Sequence, residues 1–240
     1  MTIIPADRLK AQRATSATLA LLDCAHLHAQ VQIRSTIPVG KGMASSTADI
    51  VGAIEATANA LGHSLAPEQV SAIAIGLEPS DGLMHRGVVA YNHRQGRLIE
   101  AFGPPPPMQQ LIIDLGDGID TISFNRRPKD YTPEEQFHLG NSLAMVRDGI
   151  WSQDLASIGR AATISARINQ RLLPKPELDT VLRIAEQFGA YGTACAHSGT
   201  VLSLLFAPTD ERGPALARAA LDRTFQGRFP VYLTRSVATW

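Results

Sequence analysis

Between Ile37 and Asp49 the chain reads IPVGKGMASSTAD, with two glycines, a lysine, two serines and a threonine between a strand-like run and an alanine-rich segment of helical spacing. A loop entering a helix collects the unpaired amides of the first turn and the positive end of the helix dipole. Phosphate is the ligand that best matches that combination. Gly40 and Gly42 let backbone approach a polyphosphate closely, and Lys41 adds positive charge. Ser45, Ser46 and Thr47 add hydroxyls for phosphate oxygens or a magnesium ion. The plainer alternative, a serine-capped helix after a glycine turn, is disfavoured by the density of small and hydroxyl residues.

A second group lies in LEPSDG, Leu77 to Gly82, where Glu78 and Asp81 stand three apart at a helix-to-turn junction marked by Pro79 and Gly82. Such carboxylates either ligate a metal or accept a hydroxyl proton; a surface turn with a capping acid would use the same residues. AHSGT, Ala196 to Thr200, precedes the strongly apolar run VLSLLF. The first loop is not a Walker A motif, because its Gly-Lys pair is not followed at once by Ser or Thr. GKGMAS also resembles the nucleophile loop of subtilases, but Gly42 occupies the position of their serine and no matching His and Asp motifs are present. The seven histidines show no ligand spacing, and DLGDGID, Asp114 to Asp120, lacks the acid spacing and terminal Glu of an EF-hand.

These residues need positioning elements. Periodicity predicts a helix over 7–24 with Leu9, Ala17, Ala20 and Leu21 as its apolar stripe, and a half-buried strand over 28–36. A helix over 46–61 follows the loop, with Val51, Ile54, Ala58 and Leu61 on one face and Asp49, Glu55 and Asn59 towards the other. Another starts at Pro67. Residues 87–103 read as a hairpin turning at Arg94-Gln95-Gly96, Pro104 to Pro107 as a stiff connection, and 111–116 as a buried strand. A domain boundary is expected between about Asp117 and Tyr131, giving domains 1–122 and 123–240. Helices over 133–150, 153–172 and 177–188, strands over 192–196 and 201–206, a helix over 212–222 and a strand over 231–234 complete the chain. Strand, helices, strand, strand, helix, strand is the order of a ferredoxin-like split βαβ unit.

The 240 residues are 45% hydrophobic with a formal net charge of zero. That suffices for a sizeable core and argues against a nucleic-acid groove or a membrane-surface role. The apolar stretches fall far short of the roughly 20 residues that span a bilayer. The N-terminus lacks the apolar core of a secretory signal. Cys24 and Cys195 have no metal-type spacing and read as free thiols in a reducing compartment. The expectation is a cytoplasmic protein.

The stretch Pro38-x-x-x-Gly42-Met43-Ala44-Ser45-Ser46-Thr47-Ala48 resembles the nucleotide-binding second motif of the GHMP kinases. The wording IPVGKGMASSTADI is similar to the L-threonine kinase branch linked to cobalamin synthesis and propanediol utilisation. LEPSDG, DGIDT (Asp117 to Thr121) and AHSGTVLSLLF extend the likeness from about Val31 to the C-terminus. The resemblance implies an α+β protein, with an N-terminal domain like ribosomal protein S5 domain 2 and a ferredoxin-like C-terminal domain. It implies ATP and Mg2+ as cofactors, with nucleotide held by Pro38, Gly40, Lys41, Gly42, Met43, Ala44, Ser45, Ser46 and Thr47, and by Ser198 and Gly199 of the third motif. Asp81 stands where the family's catalytic aspartate is expected, and Glu78 beside Ser46 is the metal-ligand candidate. The implied reaction is phosphorylation of the L-threonine hydroxyl to O-phospho-L-threonine for cobalamin biosynthesis. The alternatives are another hydroxyl acceptor such as homoserine, or a catalytically weak nucleotide-binding relative. A small-molecule acceptor is the expected partner, with no nucleic acid and no membrane.

Two departures from the family pattern bear on this reading. The third motif is poorer in glycine than usual, and nothing before Val31 matches the family's proline-glycine-glutamate first motif. The first strands of the N-terminal domain are therefore expected to be missing, leaving a truncated sheet with an exposed edge. The chain as written is expected to be a poor kinase and to aggregate or oligomerise, and a chain extended by its upstream codons to be active.

Overall fold

The computed structural model describes residues 1–116 and 130–237, and the chain divides into two compact units. The first comprises Met1–Val39 and Ala44–Ala101; the second comprises Gly40–Met43 and Phe102 onwards.

In the first unit, β1 (Thr2–Ile4) pairs in parallel with β2 (Gln30–Gln32), Ile3 opposite Val31, across α1 (Leu9–Leu21). A strand before the first helix corrects the expectation that none would be found, and β2 is shorter than the predicted 28–36. Helix α1 buries Ala11, Ala14, Thr15, Thr18 and Leu19, the i, i+3, i+4, i+7, i+8 pattern of one helical face. This replaces the expected stripe: Leu9 and Leu21 are exposed. The small side chains let α1 lie close against α2 (Ser45–Ala60), where Thr57 reaches Thr15 at 3.4 Å. Asp49, expected on the polar side of α2, is instead buried and paired with Arg8 at 2.9 Å. Pro67 opens α3 (Pro67–Leu77), and the Gln69 side chain accepts the Ala66 amide at 2.9 Å. The expected hairpin is β3 (Val88–Asn92) with β4 (Arg97–Gly103), its turn held by Asn92 accepting the Arg94 and Gln95 amides at 3.1 Å. The core gathers Ile3, Ala14, Ile50, Ile54, Val70 and Ala74.

The second unit is built on a four-stranded antiparallel sheet ordered β6 (Gly192–Cys195), β7 (Val201–Phe206), β5 (Gln109–Asp114), β8 (Val231–Arg235). The first strand in chain order lies between the third and the fourth, which is the ferredoxin-like order expected from the sequence. β5, expected to close the first domain, is a central strand here, because its partners β7 and β8 both lie in this unit. The unit begins at Phe102, and the expected boundary at 122/123 lies outside the described residues, as does the DGIDT motif.

Helices α4 (Pro133–Ser152), α5 (Leu155–Asn169), α6 (Leu178–Gln187) and α7 (Arg212–Thr224) complete the unit. Thr132 and Glu135 form a reciprocal capping box at the start of α4, and Asp154 caps α5 by accepting the Ala156 and Ser157 amides. The Arg171 guanidinium, then the Thr132 amide, hold the Glu135 carboxyl down to about 2. All six residues of β7 are buried, and Leu202, Leu204 and Phe206 face the same core as Leu111, Ile113, Val181 and Leu221. No helix among the described residues is long and apolar enough to cross a membrane.

Candidate active site

The site residues of the first unit converge on the N-terminus of α2. Ala44 sits before the helix in the left-handed conformation, φ 57°, with no side-chain capping hydrogen bond. That conformation costs a residue with a Cβ roughly 1–2 kcal/mol, and strain of this kind collects at ligand sites. Ser45 and Thr47 are buried, whereas Ser46 is half-buried. The Ser46 hydroxyl donates to Glu78 Oε1. The Lys10 ammonium reaches Glu78 Oε2 at 2.6 Å and Ser46 Oγ at 3.2 Å.

Glu78 is extended at the end of α3, because Pro79 disfavours a further helical residue. The turn after it is fixed at both ends. The Ser80 amide donates to the His93 carbonyl at 3.1 Å, and the Asp81 amide donates to Thr47 Oγ1 at 3.2 Å. Thr47 therefore ties the Asp81 turn to the start of α2. The Asp81 side chain is exposed, yet its carboxyl is held above the ordinary aspartate range, first by desolvation from dense surroundings. His93 opposes this shift and the Glu78 carboxylate adds to it.

A serine hydroxyl beside a carboxylate supplies the hard oxygen donors that magnesium takes, with phosphate oxygens and water completing its shell. The Lys10 ammonium lying on both oxygens shows that the pair accommodates a cation, so the residues fit the metal. No group of three or more His, Cys, Asp or Glu side chains suited to a metal is present among the described residues.

The second unit holds the first half of the glycine loop. Lys41 makes an ion pair with Asp114 at 3.1 Å and donates to the Gly116 carbonyl, so much of its charge is already matched within the protein. Thr200 donates its amide to the Lys41 carbonyl and its hydroxyl to Asp114, each at 3.1 Å. Gly42 and Gly199 meet backbone to backbone. A Cβ on Gly199 would fall 2.1 Å from the Lys41 carbonyl oxygen, and one on Gly42, where φ is +80°, would fall 2.8 Å from the Gly199 Cα. Only glycine satisfies both positions. Pro38, Met43 and Ser198 are half-buried, Gly40 has φ +74°, and His197 is exposed.

Sequence spacing singled out Ser46, Glu78, Thr47 and Asp81, which the first unit brings together, and Lys41, Gly42 and Gly199, which the second does. It missed Lys10, Arg8, Asp114 and Thr200. Lys10 in the first turn of α1 and Arg8 just before it are ordinary polar positions, and nothing local marks them as partners of buried acids far along the chain.

The model of the GHMP kinases N terminal domain matches residues 10–87, and that of the GHMP kinases C terminal matches residues 145–226. The chain is 35% identical to an L-threonine kinase of Salmonella typhimurium over 73% of this chain and 59% of that protein. It is 34% identical to an L-threonine kinase of Citrobacter freundii over 75% of this chain and 64% of that protein. The chain thus spans about three fifths of the length of these two relatives. Among solved structures, a homoserine kinase from Cytophaga hutchinsonii matches with a TM-score of 0.76 and 17% identity, covering 100% of this chain and 81% of that one. The Methanococcus jannaschii mevalonate kinase matches with a TM-score of 0.65 and 16% identity, covering 95% and 75%. At these identities the structural likeness concerns the fold.

Proposed function

The chain belongs to the GHMP kinase family, and on that premise we propose that it is an ATP-dependent kinase for the side-chain hydroxyl of L-threonine, yielding O-phospho-L-threonine. The observation that carries the reading is the Ser46–Glu78–Lys10 cluster at the start of α2, with the Asp81 turn bonded to Thr47 beside it. The choice of threonine is supported by the two L-threonine kinases at about a third identity. The resemblance of the wording IPVGKGMASSTADI to the cobalamin-linked branch extends the proposal: the product would serve cobalamin synthesis.

Phosphoryl transfer asks little covalent chemistry of a protein: it needs positioning, charge neutralisation and an oriented acceptor. In this reading the amides and hydroxyls from Gly40 to Thr47 hold the ATP phosphates, with Ser198 and Gly199 closing on them. The acceptor oxygen forms its bond to the γ-phosphorus as the bond to the β-phosphate oxygen breaks, and ADP leaves. Asp81 takes the hydroxyl proton, and its raised pKa makes it a stronger base than an ordinary aspartate. Glu78 and Ser46 would hold magnesium, which when bound supplies charge neutralisation to the phosphate oxygens.

Homoserine is the second acceptor to consider, since a homoserine kinase of Moorella thermoacetica is 26% identical over 87% of this chain. The test is ADP release with ATP and a magnesium salt across L-threonine, L-serine, L-homoserine and mevalonate. The highest kcat/KM is expected with L-threonine. A higher value for homoserine would move the assignment, and ADP release indifferent to acceptor would end it.

A further inference from the structure

We propose that a cavity beside Lys175, within the second unit, binds the carboxylate of a small α-amino acid; the inference rests on the kinase reading and specifies its acceptor class. The cavity has a volume of about 200 Å³, and its lining includes Leu115, Leu173, Lys175, Glu177, Gly199 and Thr200.

Lys175 is only 6% exposed, although lysine is almost never buried without a partner. Its ammonium reaches one acceptor, the Ala196 carbonyl, at 3.5 Å, the outer limit of a hydrogen bond. Among the described residues it takes part in no ion pair within 4 Å. A buried charge left so poorly matched is costly unless something pairs with it. Asn169 shares that weak acceptor. It donates to the same Ala196 carbonyl at 3.5 Å and to Cys195 Sγ at 3.3 Å, which leaves its buried Oδ1 without a hydrogen-bond partner. Lys175 is held in place by prolines on either side, by its amide donating to Gln170 at 2.6 Å, and by its carbonyl accepting the Leu178 amide at 3.0 Å. The backbone of Lys175 is thus fixed, and among the described residues no anionic group pairs with its ammonium.

Two features favour an amino-acid carboxylate over a nucleotide phosphate. The cavity is smaller than the roughly 300–1,000 Å³ of ordinary cofactor pockets. Glu177 also lines it, and its carboxylate opposes a phosphate dianion but attracts an ammonium. A free α-amino acid presents a carboxylate and an ammonium together, matching Lys175 and Glu177. The Gly199–Thr200 wall is tied to Lys41 through the Thr200 amide, so the cavity adjoins the glycine loop within the same unit.

The experiment compares L-threonine with L-threoninol, its carboxylate-free alcohol, for the wild-type chain, Lys175→Met and Lys175→Arg, each checked by thermal unfolding. In the wild type, threoninol should show about a 10- to 100-fold higher KM than threonine. Lys175→Met should raise the KM for threonine by a similar factor, leave that for threoninol and ATP unchanged, and thus abolish the discrimination; Lys175→Arg should restore part of it. Equal wild-type KM values, an equal effect of Lys175→Met on both acceptors, or a shift confined to ATP would overturn the inference. Should Lys175→Met fail to fold, the wild-type ratio and Lys175→Arg decide. If the chain phosphorylates neither compound, equilibrium binding separates the two claims. Lys175-dependent preference for threonine over threoninol sustains the cavity and removes only the kinase reading, whereas equal binding removes the cavity. Lys175-dependent binding of inorganic phosphate without that preference assigns the cavity to a phosphate and overturns the acceptor claim.

Discussion

The Ser46 hydroxyl donates to the buried Glu78 carboxylate 32 residues further along the chain, joining the first turn of α2 to the end of α3. The pair brings a hydroxyl and an acid to the point where the helix dipole favours anions, and Lys10 balances its charge from α1.

Replacing Ser46 with alanine therefore removes one oxygen donor and leaves Lys10 on Glu78. A lost hydrogen bond to a charged group costs about 1.5–3 kcal/mol. Magnesium-ATP kcat/KM should fall about 10- to 100-fold, with a melting temperature close to that of the parent. Titrating magnesium at fixed ATP checks this, and an unchanged profile removes Ser46 from the site.

Asp81→Asn keeps the shape of the turn and removes the base. Turnover should drop about 10²–10⁴-fold while ATP binding survives. Because the carboxyl of Asp81 is held above its ordinary value of 3.8, the acid limb of the rate profile should lie above that value, with activity rising as Asp81 ionises. Stability runs the other way. The folded state prefers protonated Asp81, so its contribution is greatest below 3.8 and is lost as pH rises through the raised pKa. Asp81→Asn should accordingly be at least as stable as the parent at pH 7. A stability loss there would mark Asp81 as a structural residue.

Arg8 and Asp49 form another partly buried pair of the first unit, with side chains 23% and 8% exposed. Arg8→Met strands the acid, and removing one partner of a buried pair costs on the order of 3 kcal/mol. Adding Asp49→Asn should recover part of that loss in urea unfolding. If Arg8→Met is neutral, the pair is only a surface contact.

Gly199→Ala tests the backbone contact between the third motif and the loop. Its methyl would meet the Lys41 carbonyl oxygen at 2.1 Å, so backbone must shift. Overpacking costs about 1–3 kcal/mol, and ATP affinity should fall with stability. Wild-type affinity in this variant would show that the loop tolerates displacement.

Most elements were legible because each carries its own signal: Pro67 and Pro133 at helix starts, alternation around the Asn92–Gly96 turn, and unbroken burial in Val201–Phe206. The order of the later elements sufficed for the four-stranded sheet. What escaped depends on partners far away in sequence. β1 is three residues long and exists through its pairing with β2. The α1 face was misread because leucines weigh more than alanine and threonine in an apolar stripe, while the helix contact rewards small residues. β5 was given to the wrong side of the boundary because nothing in LIIDLG names its neighbours. For the site, the loop and the two acids were readable as motifs. Lys10 and Lys175 were not, since a cation is exceptional only where the fold buries it or seats it on an acid.

The central claim is most directly tested by identifying the product formed from ATP, magnesium and L-threonine, using phosphorus NMR with the Asp81→Asn variant as control. The account predicts a phosphomonoester that comigrates with O-phospho-L-threonine, formed with one equivalent of ADP and nearly absent in Asp81→Asn. Inorganic phosphate as the only new signal, or equal product from the variant, would contradict it.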